Sequence, residues 1–218
     1  MEDVRRMEGH RQAKILFADC SSSNYGMFSG VVLILAVVVC SLVILTMGES
    51  SHYETETQIG NLLRLSVMTI LTLASIYGYY VVSLLDVNPN PISFLDDLLL
   101  FFCLPSFFFF FILWTAHLIA KPDPIGFLTE IMMCLQVLIQ TPMIIDGLRR
   151  CTNDPLVAQK MPGRNAITFL IVANLGVYIM ESLLIKSYDY QKPKIDFYGA
   201  DGWTVLSHIT LPICVFYR

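Results

Sequence analysis

The stretch GFLTEIMMCLQVLIQTPMIIDGL (126–148) is apolar along most of its length, yet it carries an amide, Gln140, deep inside. A helix rises 1.5 Å per residue and a hydrocarbon core is ~30 Å thick, so ~20 such residues cross it. Outward from this run lie five more, at 27–47, 61–85, 95–120, 165–187 and 203–218. The first four of these reach spanning length, and the last stops short. The 218-residue chain is 55% hydrophobic and 15% charged, whereas soluble domains average about 25% charged. That balance argues against an ordinary cytosolic globule. The reading is an all-α membrane protein, a bundle of six transmembrane helices with the last one truncated. Residues 1–26 form a charged lead-in, and 27–218 form one transmembrane domain, since no repeat or Pro- or Ser-rich linker divides them. The first run starts too late and is too long for a cleavable signal peptide.

Placement of Lys and Arg sets orientation. Arg5, Arg6, Arg11 and Lys14 precede the first run, Arg149, Arg150, Lys160 and Arg164 lie between the fourth and fifth, and Arg218 ends the chain. The opposite side holds Lys121, Lys186, Lys192 and Lys194, with Arg64 just inside helix 2. Nine basic residues against five place both termini in the cytoplasm. The six cysteines show no CxxC spacing, four lie inside spans, and Cys20 and Cys151 face the reducing side. No metal-ligand spacing appears.

The loop 48–60, with Glu49, Glu54, Glu56 and His52, faces outward on this topology. It reads as solvated, or as a surface that senses external protons. Helix 1 is apolar all round and reads as lipid-facing or packing. Tyr77, Tyr79 and Tyr80 fit an interfacial aromatic belt. Phe107 to Phe111 circle helix 3 as packing and lipid contact, and His117 sits near its outer end.

Depth counting brings three polar residues to one level. Gln140 falls ~21 Å below the outer face, Asn174 ~20 Å and Tyr217 ~21 Å. A second layer, Glu130, Glu181 and His208, falls ~6–9 Å down. Asn174, Tyr178 and Glu181 follow i, i+4, i+7 spacing and join the layers along one stripe. Pro142 and Pro212 free the carbonyls of Leu138 and His208, which then need protein or water partners. The upper groups can accept and release protons. The amides and phenol below can donate and accept hydrogen bonds without titrating there. Such a ring can hold a water file, and the same residues also serve as interhelical glue. On the residues alone, both readings stand.

The stretch GWTVLSHITLPICVFYR (202–218) closely resembles the last helix of otopetrins, the proton-selective channels. ITFLIVANLGVYIMES (167–182) resembles the otopetrin helix with an Ala-Asn-Leu core and an acidic residue seven positions beyond the Asn. EIMMCLQVLIQTPMIIDGLRRC (130–151) and ADCSSSNYG (18–26) fit the same family. Otopetrins have twelve helices in two six-helix halves, and the likeness here is to the C-terminal half. It implies a passive, acid-driven proton channel in the plasma membrane with Gln140, Asn174 and Tyr217 as constriction. Glu130, Glu181 and His208 become the titratable outer layer. It further implies lipid and protons as partners, a homodimer or association with a full-length otopetrin or its N-terminal half, and no cofactor, metal or nucleic acid. The missing first half and short last helix make a fragment, splice form or incomplete gene model the expectation. A non-conducting modulatory subunit is the alternative. No nucleophile–base pair is placed for enzyme chemistry.

Overall fold

The computed structural model describes residues 23–47, 53–87, 94–120, 122–151, 163–185 and 187–217. The lead-in before residue 23, His52 and Arg218 lie outside the described residues. In lipid a backbone must satisfy its own polar groups, which favours helices. The described chain forms α1 (Asn24–Met47), α2 (Tyr53–Ser83), α3 (Phe94–Ala120), α4 (Pro124–Leu148), α5 (Arg164–Leu184), α6 (Tyr188–Tyr198) and α7 (Ala200–Tyr217). Two-residue strands β1 (Asp86–Val87) and β2 (Arg150–Cys151) pair antiparallel beyond the ends of α2 and α4. Five helices, α1 to α5, are long and apolar enough to cross a membrane. The sixth expected span is the 18-residue α7.

The distribution of polarity is that of a protein solvated by lipid. Val32, Leu35, Val39 and Leu42 of α1, Phe101, Phe102 and Ile112 of α3, and Val205 and Ile209 of α7 point outward. Arg64, Glu130, Gln136, Gln140 and Asn174 are buried inside. Water would favour the reverse arrangement. The interior also holds Met68, Leu71, Trp114, Val137, Ala173, Val177, Met180 and Leu184. The structure is therefore a multi-pass, all-α membrane protein.

One sequence expectation changes. The loop at 48–60 is helical from Tyr53, so α2 runs 31 residues, or about 46 Å. Glu56 is buried there, with its carboxylate accepting from the Ser187 hydroxyl. The segment after α5 contains α6, whose N-cap Ser187 accepts from the Tyr190 N–H. Phe107 and Phe110 are buried while Phe108 and Phe109 are exposed, the division between packing and lipid contact expected of a run that circles the helix.

Helix α1 packs mainly on α5. The two run parallel, and Gly26 and Gly30 sit in the contact as a small-xxx-small pair. A Cβ on Gly26 would lie 2.1 Å from the Asn165 carbonyl oxygen, and one on Gly30 2.7 Å from Val172 Cβ. The Gly26 N–H also donates to Asn165 Oδ1 at 3.3 Å. Gly30→Leu is therefore expected to force α1 off α5 at a cost of ~1–3 kcal/mol, read as a lowered melting temperature in detergent. An unchanged melt would contradict this packing.

Candidate functional site

The site lies among α2, α4, α5, α6 and α7, in two polar levels. The upper level centres on Arg64, which has no exposed side-chain surface. Its Nη1 donates to Glu130 Oε1 at 2.8 Å, and its Nε donates to Glu181 Oε1 at 2.8 Å. The guanidinium fork thus joins α2 to α4 and α5, a geometry that a lysine ammonium could not reproduce. Nη1 also donates to the Tyr190 hydroxyl at 3.2 Å. That hydroxyl in turn donates to Asn61 Oδ1 at 3.2 Å, and Asn61 Nδ2 donates to Asp123 Oδ2 at 2.9 Å. The Asp123 carboxylate caps α4 by accepting from the Ile125 N–H.

Lys194, on α6, stands next to this cluster. Its ammonium donates to the Tyr190 carbonyl at 2.8 Å and lies 4.1 Å from the centroids of the Trp114 and Tyr190 rings. Burial, followed by the Arg64 charge, lowers it from the ordinary 10.5 to about 7. Burial also pushes the Tyr190 phenol upward, so it stays protonated and can donate. A cavity of about 270 Å³ leads here, lined in part by Asn61, Trp114, His117, Asp123 and Lys194.

The lower level is an amide layer. Gln140 Oε1 accepts from Asn174 Nδ2 at 3.2 Å and from Gln136 Nε2 one turn above on α4. Asn174 Nδ2 also donates to the Leu170 carbonyl at 2.8 Å. The Tyr217 hydroxyl reaches the same helix one residue further on, 2.9 Å from Thr141 Oγ1. Thr141 donates to the Val137 carbonyl, and the Tyr217 hydroxyl lies 3.5 Å from that same carbonyl. The Tyr217 ring packs edge-on against Phe107, with centroids 5.0 Å apart.

Gln140 and Asn174 therefore meet directly, and Tyr217 joins them through α4. Glu130 and Glu181 also come together, but on Arg64 rather than as free carboxyls. His208 stands apart from them: it is exposed on α7, with Nδ1 2.7 Å from the Thr204 carbonyl. Tyr178 also leaves the expected stripe and is 40% exposed. The buried face of α5 instead follows Leu170, Ala173, Asn174, Val177, Met180 and Leu184.

Sequence reasoning counted Arg64 and Lys194 only as charges and passed over Tyr190, Gln136 and Thr141. Two signals were present. Gln136 and Gln140 stand four residues apart on one helix face, and so do Tyr190 and Lys194. Among the described residues, no group of three or more His, Cys, Asp or Glu side chains is placed to hold a metal ion.

The fold and site define a multi-pass helical membrane protein with a buried ion cluster and a buried amide layer in its interior. A sequence profile of the otopetrin family matches residues 2–218, and the chain belongs to that family. It is 27% identical over 210 residues to "Proton channel OtopLc" of Drosophila melanogaster, a match covering 92% of this chain. The matched region is 13% of that relative's length.

Proposed function

We propose that this chain is the C-terminal half of an otopetrin-type proton channel in the plasma membrane, with both termini cytoplasmic. Protons pass down their gradient when the outside is acid. The observation that carries this reading is the buried polar series inside one bundle. It begins at the outer cavity with Lys194 and Tyr190, continues through Arg64, Glu130 and Glu181, and resumes at Gln136, Gln140, Asn174, Thr141 and Tyr217. Such groups are costly in a membrane, and two levels of them in one bundle favour a pathway. The second carboxylate oxygen of Glu130 is buried without a hydrogen-bond partner among the described residues. It supplies a lone pair where an inward-moving proton needs one. The amides below relay by hydrogen bonding and present no charged ring to metal cations.

A second reading is a non-conducting membrane subunit that pairs with full-length channels, or with the N-terminal half, and modulates them. It is favoured by the direct contact of Asn174 with Gln140, which is also the geometry of interhelical glue. Recording from cells that express this chain alone, in an acid bath, separates the two. Inward proton current supports the channel. Silence alone, with altered current when a full-length otopetrin is co-expressed, supports the modulator.

Glu181→Gln tests the upper level. It removes one of the two carboxylates held by Arg64 and leaves Glu130 to neutralise the guanidinium. The acid response of the full-length channel is expected to shift along the pH axis. An unshifted response removes Glu181 from the outer titrating site.

A further inference from the structure

The outer cavity ends on Lys194, the first group of the buried polar series, whose own chemistry sets it apart from the others. Lys194 is 1% exposed, and among the described residues no carboxylate lies within ion-pair distance of it. An ammonium has three N–H donors. One goes to the Tyr190 carbonyl, and the rest of its shell is the faces of Trp114 and Tyr190. Such a cage holds either the amine or the ammonium, since aromatic faces attract the cation while burial opposes it. The cavity reaches the surface past the exposed residues Gln58 and Pro122, so outside water has a route to the amine.

We propose that the amine of Lys194 is a proton-binding site at the mouth of the pathway, which takes up a proton from the outer solution and transmits the added charge to the Arg64 cluster. This rests on the channel reading above. The step is simple: the nitrogen lone pair forms a bond to a proton of hydronium, the O–H bond breaks, and water leaves. Release reverses it. Arg64 and Lys194 share one indole, with Arg64 Cζ 5.2 Å and Lys194 Nζ 4.1 Å from the Trp114 centroid. A charge gained at Lys194 therefore acts directly on Arg64, and through it on the two carboxylates it clamps. The cluster brings two carboxyl groups to a single guanidinium, so an added positive charge at Lys194 has acidic partners close by. The other charged group that acts on the amine is Asp123, which favours the ammonium; His117 also lines the cavity. A titration near pH 7 is consistent with the lowered ammonium.

The test uses the full-length channel, purified in nanodiscs and recorded in cells, as wild type and as Lys194→Met, Lys194→Arg and His117→Gln. Charging Lys194 alters the environment of Trp114, so tryptophan emission is expected to step with a midpoint near pH 7. The step is expected to vanish in both lysine variants and to survive in His117→Gln. In cells, Lys194→Met should require more acid for half-activation, by about one pH unit, while the permanently charged Lys194→Arg should activate at a more neutral pH. A step that persists in Lys194→Met, or one lost in His117→Gln, overturns the proposal, as does pH activation unchanged in both lysine variants. Absence of any acid-evoked current from the wild type instead contradicts the channel reading, and the emission step is read without it.

Discussion

Arg64→Met in the full-length protein is expected to abolish surface delivery, and acid-evoked current with it. The substitution leaves Glu130, which has no exposed side-chain surface, and the largely buried Glu181 without their cation. Breaking a buried pair by removing one partner costs about 3–5 kcal/mol. Total stabilities are only about 5–15 kcal/mol, so a loss of that size is decisive. Arg64→Lys should be intermediate, because one ammonium cannot place donors on both Glu130 and Glu181 as the guanidinium fork does. Combining Arg64→Met with Glu130→Gln and Glu181→Gln removes the uncompensated charge and is expected to restore delivery but not the acid response. Surface labelling and the elution profile in detergent measure the first outcome. Normal delivery of Arg64→Met by itself would contradict a clamped ion cluster.

Gln140→Leu is expected to separate conduction from folding. The leucine fills similar space but removes the oxygen to which both Gln136 and Asn174 donate. Asn174 keeps its bond to the Leu170 carbonyl, so the stability cost should stay near ~1–2 kcal/mol. The current should suffer more. A proton relayed through an apolar step loses its hydrogen-bond partner in the amide layer, and each ~1.4 kcal/mol added to the barrier reduces the rate about tenfold. Current at least about tenfold below wild type, at near-normal surface density, is the expected result. Tyr217→Phe removes only the hydroxyl hydrogen-bonded to Thr141 and should reduce current less. Unaltered current and selectivity in both variants would remove the layer from the mechanism.

The five long helices were legible because a bilayer fixes a minimum apolar length. Gln140 and Asn174 were found as neighbours because a straight helix converts residue count into depth. What failed was rotation and helix ends. Among the described side chains of α7 the buried ones are Trp203, Ser207, Thr210 and Cys214, a helical stripe that Tyr217 continues and that His208 misses by one residue. Depth alone could not show that, although the spacing could have. Arg64 was misjudged because helix 2 was taken to begin at 61. With the start at Tyr53, Arg64 lies about 16 Å along the helix, where it is fully enclosed by neighbouring helices. Lys194 and Tyr190 were hidden for another reason. They sit on an 11-residue helix of low apolarity, whose burial comes from Trp114, Trp203 and the end of α2 rather than from its own pattern.

The most direct test of a proton path through the amide layer is the reversal potential of the acid-evoked current in the full-length channel. The wild type is compared with Gln140→Leu combined with Tyr217→Phe at matched surface density. The account predicts a wild-type reversal potential that follows the proton equilibrium potential as bath pH changes, and no resolvable proton current in the double variant. A double-variant current of wild-type size, still reversing with the proton gradient, would contradict it.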